Sequence, residues 1–60
     1  MAELLRAARK RWPFAAVRLT ASWTGDWAVT VEANGAPVLE VAARSERAAL
    51  RRAMREVGGG

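Results

Sequence analysis

The chain has 60 residues, 52% of them hydrophobic and 27% charged, the balance of a globular domain and not of a disordered one. It carries no cysteine and no histidine, which excludes a disulfide framework and the usual nitrogen and sulfur metal ligands, and a chain this short has room for one domain with one core. Ten lysines and arginines against six carboxylates give a net charge of +4; that balance favours polyanions as partners, and an alanine- and arginine-rich bias from a GC-rich coding sequence would produce it as well.

The first element is a helix over residues 2–12. Met1, Leu4, Leu5, Ala8 and Trp12 fall on one arc, with Glu3, Arg6, Arg9 and Lys10 elsewhere around it. Pro13 disfavours helical geometry in the residue before it and closes the segment. From Val17 the apolar period changes to two. Val17, Leu19, Ala21 and Trp23 alternate with Arg18, Thr20 and Ser22, which predicts a strand over about 16–23.

A second alternating run, Trp27 to Ala33, predicts a strand over 27–33. A three-residue loop, Thr24 to Asp26, sets Trp23 opposite Trp27 and Ala21 opposite Val29, keeping both apolar sets on one face. The third strand, 36–43, is subject to the same parity test. A two-residue turn at Asn34 and Gly35 would pair Val29 with Glu40 and mismatch the faces. A three-residue loop, Ala33 to Gly35 with a G1 bulge at Gly35, pairs Val31 with Pro37, Val29 with Leu39 and Trp27 with Val41. Pro37 cannot donate to a ladder, so this strand belongs at an edge.

The last element is a helix over 45–57. Ser45 is its N-cap, Glu46 meets the positive end of the dipole, and Ala49, Leu50, Ala53, Met54 and Val57 form its apolar stripe. Gly58 to Gly60 form a tail that stops the helix and frays. The fold class is therefore α+β: a two-layer sandwich in which a three-stranded antiparallel meander carries the N-terminal and C-terminal helices on one face (α-β-β-β-α). The sequence shows neither an internal repeat nor a second domain.

Catalysis is poorly provided for, and the expectation is a protein that is not an enzyme. The carboxylates Glu3, Asp26, Glu32, Glu40, Glu46 and Glu56 are scattered through the chain, in no spacing that specifies an acid/base pair, a nucleophile or a small-molecule substrate site. No cofactor is implied, and no Gly-rich phosphate loop is present. No apolar run approaches the roughly 20 residues of a bilayer span, and charges at Glu3, Arg6 and Arg9 interrupt any signal-peptide stretch, so the expected setting is cytoplasmic, away from a membrane.

The main functional candidate is the arginine stripe of the last helix. Arg47, Arg51 and Arg55 recur at i, i+4 and i+8, with Arg52 further round and Arg44 just ahead of the cap; Arg6, Arg9 and Lys10 form a second basic patch on the first helix. Such a face neutralises phosphates and releases counterions, which gives sequence-independent affinity for RNA or DNA. A solvated helix face has the same pattern. The three tryptophans read as core fillers, although Trp23 and Trp27 would be available to a partner protein or an unstacked base if they flanked an exposed hairpin tip.

The order of elements, and above all the stretch VTVEANGAPVLEVAARSERAALRRA from Val29 to Ala53, resembles the double-stranded RNA-binding domain family. The resemblance implies that family's fold and phosphate contacts from the start of the second helix. Arg47 stands at a matching basic position there, Glu46 and Leu50 at two others. Over less of the chain, the sheet and last helix resemble the arm-site DNA-binding domains of phage-type integrases, and the small phage and antitoxin-like sandwich proteins that serve in protein interaction. The alternative function is thus an assembly protein that homodimerises through its sheet, where Thr20, Ser22, Ala28, Thr30, Val38 and Ala42 are small or weakly polar. Self-association would also supply stability that so small a core lacks.

Overall fold

A computed structural model describes residues 1–59. The fraying expected of Gly60 lies outside the described residues. The elements are α1 (Ala2–Arg11), β1 (Ala16–Ala21), β2 (Trp27–Ala33), β3 (Ala36–Ala43) and α2 (Glu46–Gly59). The strands form an antiparallel sheet in the order β1-β2-β3, with β3 at an edge. The architecture is the α-β-β-β-α two-layer arrangement that the alternation and the helical periods require.

Side chains from both layers meet in one core. Leu4 and Ala8 of α1, Val29 and Val31 of β2, and Ala49, Ala53 and Val57 of α2 are buried together with Ala15, and Val17, Leu19, Trp27, Leu39, Val41, Leu50 and Met54 pack around them. The alanines matter because a side chain of one carbon lets each helix approach the sheet closely, while the branched valines of β2 fill the space between. Trp12 and Trp27 are half-buried against this core.

The end of α1 falls one residue short of the expected 2–12. Trp12 is extended, with φ −132° and ψ 97°, as the following proline demands, and its N–H still donates to the Ala8 carbonyl. Pro13 and Phe14 then turn the chain, with Ala15 N–H donating to the Trp12 carbonyl at 2.8 Å. Met1, expected on the buried arc, is half exposed.

The β1–β2 connection corrects both the strand length and the placing of Trp23. β1 stops at Ala21 instead of 23, and Ala21, itself exposed, pairs with Trp27, Leu19 with Val29 and Val17 with Val31. Ser22 N–H donates to the Asp26 carbonyl at 2.7 Å and Gly25 N–H to the Ser22 carbonyl at 3.0 Å, while Gly25 has a φ of +95°. This is a three-residue hairpin loop, Trp23 to Gly25, ending in a G1 bulge. The left-handed position falls on Gly25, where no Cβ opposes it, and not on Asp26. That choice moves the loop back by one residue and puts Trp23 at its tip, 96% exposed, so Trp23 is not a core residue.

The β2–β3 connection also differs. Asn34 and Gly35 both have positive φ, 55° and 79°, the signature of the two-residue type I′ turn, so the G1 bulge is not at Gly35. Parity is restored within the strand: Val31 pairs with Leu39 but Glu32 pairs with Pro37, leaving Val38 as the extra residue of a β-bulge. Pro37 therefore opposes Glu32 and not Val31, and the lower registers shift with it, to Val29 with Val41 and Trp27 with Ala43. Leu39, Val41 and Ala43 reach the covered face, and Glu40 and Ala42 the open one.

The last helix starts as its cap predicts. Ala48 N–H donates to Ser45 Oγ at 3.1 Å and Ala49 N–H to the Ser45 carbonyl at 3.0 Å. It does not stop at Val57 but continues through Gly58 and Gly59. Arg11 of α1 supplies a reason, since its Nη1 donates to the carbonyls of Glu56 at 3.5 Å and Val57 at 3.2 Å. These carbonyls lie in the final turn of α2, where backbone acceptors run short of helical partners.

Candidate nucleic-acid interface

The cap at Ser45 fixes the phase of α2, and the phase fixes where its arginines point. Steps of four residues drift by about 40°, so Arg47, Arg51 and Arg55 form one row about 160° round the axis from the buried Ala49, Ala53 and Val57. The row spans about 12 Å along the helix. All three side chains are exposed, and they have no hydrogen-bond or carboxylate partner among the described residues. Arg44, also exposed, stands where β3 passes into α2.

The remaining basic candidates are placed differently. Arg52 Nη1 donates to the Ala42 carbonyl at 2.8 Å, which ties α2 to β3 and leaves the rest of its guanidinium outward. Arg9 Nε donates to the Ala15 carbonyl at 3.2 Å and braces the α1–β1 turn. Arg6 and Lys10 line a cleft between α1 and the end of α2, together with Glu3, Ala7, Arg11, Val57 and Gly58. Arg6 and Lys10 therefore lie beside the C-terminal end of α2, the end away from Arg47.

Sequence reasoning missed Arg11. The run Arg9-Lys10-Arg11 at a helix C-terminus was the available signal, since cations there meet carbonyls of their own helix or of a neighbour. The Arg11 guanidinium also lies over the Trp12 ring, 4.6 Å from its centroid. For Trp23 the core reading, which carries the alternation of β1 two residues too far, gives way to its alternative, the exposed hairpin position.

Charge is divided between the layers. The two helices hold eight of the ten cationic side chains and three of the six carboxylates; the strands and their turns hold the other three carboxylates with Arg18, and Arg44 stands at the junction. Glu32 and Glu40 lie on the open sheet face. Glu32 pairs with Arg18 at 3.6 Å, the one ion pair among the described residues, and Glu40 accepts a long hydrogen bond from Thr30 Oγ1 at 3.4 Å. Glu32 and Glu40 are thus partnered on the open sheet face, while most of the cations lie in the helical layer, Arg47, Arg51 and Arg55 among them without a partner among the described residues.

No protein-family model matches the chain, and neither a curated protein nor a solved structure matches it. The candidate interface presents a row of guanidinium groups to solvent, each able to offer a fork of donors to an anionic oxygen. Among the described residues no helix is long and apolar enough to cross a membrane.

Proposed function

We infer that the protein is a small non-enzymatic nucleic-acid-binding module that holds phosphates on the exposed face of α2, acting in the cytoplasm without a cofactor. Arg44, Arg47, Arg51 and Arg55 make the contacts, Arg6 and Lys10 extend them past the end of the helix, and Arg9 and Arg52 contribute the donors their backbone bonds leave over. The observation that carries this reading is the row Arg47-Arg51-Arg55, opposite the core stripe and in no ion pair among the described residues. A row of this kind tracks a polyanion and not a compact anion. The α-β-β-β-α order, with both helices on one sheet face, supports the likeness to the double-stranded RNA-binding domain family.

The test is binding of labelled duplex RNA, duplex DNA and single strands at two salt concentrations. Affinity is expected to fall steeply with salt, and the double variant Arg47→Ala/Arg51→Ala to reduce the slope of log affinity against log salt by about two. No detectable binding at low salt sinks the reading.

A second reading rests on the open face of the sheet. Thr20, Ala28 and Ala42 form one uncharged row across all three strands, uncovered by any other layer of the chain. An assembly protein would dimerise there. Light scattering at high concentration checks this, and a strictly monomeric species removes it.

A further inference from the structure

Trp23 is the most exposed large apolar side chain of the described structure, at 96%, and the turn that holds it does not require a tryptophan. Its conformation is set by other residues. Ser22 Oγ accepts from Thr24 N–H at 3.2 Å and bonds Thr24 Oγ1 at 2.9 Å, the Ser22 and Asp26 main chains are tied at 2.7 Å, and Gly25 takes the left-handed position. A tight loop therefore presents an indole outward, where it gains nothing from the core. The ring is a large rigid surface with few torsions to freeze, the property that puts tryptophan at the centre of binding sites.

Its surroundings select the partner. Trp27 pairs with Ala43, so the Trp23 loop and the β3–α2 junction with Arg44 and Ser45 emerge from the same end of the sheet, where β1 and β3 lie about 10 Å apart, two strand spacings, and Arg47 follows in the first turn of α2. Asp26 and Glu46 are the carboxylates at this end, beside Arg44 and Arg47. An exposed aromatic ring and a row of guanidinium groups that starts at the same end of the domain are the two features by which proteins hold single strands, stacking a base while cations follow the backbone. A protein partner would use the ring but has no need of the arginine row that leads away from it.

We propose that Trp23 is a base-stacking residue, and that the nucleic acid this protein takes is one with unpaired bases at the Trp23 end of α2. This rests on the nucleic-acid reading of the arginine face, and the two are separable by experiment. The probes are a mixed-sequence 20-nucleotide single strand and the blunt duplex it forms with its complement, titrated against the full 60-residue chain and its Trp23→Ala and Trp23→Phe variants. Trp23→Ala is expected to weaken single-strand binding by about tenfold while leaving the duplex affinity and the salt slope unchanged, and Trp23→Phe to recover most of the loss. Because the side chain is free of the core, circular dichroism of Trp23→Ala should match the parent. If the parent binds and Trp23→Ala binds the single strand equally well, stacking is overturned and the arginine reading stands. If the parent binds neither probe at low salt, both readings fall.

Discussion

The Arg11 guanidinium, at the end of the first helix, donates to the Val57 carbonyl in the last turn of the second at 3.2 Å. The last turn of α2 contains no basic residue of its own, so the cation that complements its dipole comes from a different element. Arg11→Met, which keeps an unbranched stem and removes both the donors and the guanidinium over Trp12, is expected to lower stability by about 1 kcal/mol in urea unfolding, given the partial exposure of the site. Arg51→Ala, with no protein partner, should leave the midpoint unchanged. Equal losses in the two variants would show that Arg11 is not a cap.

Leu4 is the largest side chain that the helical layer buries completely. A 60-residue domain has a total stability of about 3 to 9 kcal/mol, and Leu→Ala in a core costs about 3 kcal/mol. Leu4→Ala should therefore remove between about a third and all of the stability. Leu5→Ala, at a half-buried position one residue on, should cost clearly less; circular dichroism melts of the pair check the phase of α1.

Ser45 closes the first turn of α2 through its Oγ. Ser45→Ala is expected to cost about 1 kcal/mol, and Ser45→Asp to retain the stability. The same cap orients the arginine row, so Ser45→Ala should also loosen nucleic-acid binding slightly without altering its salt slope, an effect anisotropy titrations would resolve.

The secondary structure was legible because each element obeys a single period: Leu4 and Ala8 at helical spacing, Val29 and Val31 at strand spacing, Ala49, Ala53 and Val57 again at helical spacing. The turns were not, because parity has more than one solution. Moving the first loop by one residue at each side preserves every face, and only the demand for a left-handed residue selects Gly25 and expels Trp23. In the second hairpin, the extra residue that parity demands can sit in the loop or in the strand. Asn34 and Gly35 both accept positive φ, so the short turn forms and Val38 carries the bulge. The arginine face followed from the period of α2, whereas the partners of Arg9, Arg11 and Arg52 are backbone carbonyls, which no pattern of side chains announces.

Two glycines with open space around them should respond in opposite directions to the same substitution. A Cβ added at Gly25 or at Gly58 would meet nothing within 4 Å, so packing decides neither case. Gly25 sits at a φ of +95°, where a side chain is strained, and Gly25→Ala is expected to cost about 1 kcal/mol or more and to broaden the signals of the Trp23 loop. Gly58 lies inside α2, where alanine is the better helix former and restricts the unfolded chain, so Gly58→Ala is expected to raise stability by about 0.5 kcal/mol. Urea unfolding of the two variants beside the parent tests both the G1 bulge and the extension of α2 past Val57. A stabilising Gly25→Ala would place the left-handed residue elsewhere in the loop, and with it Trp23.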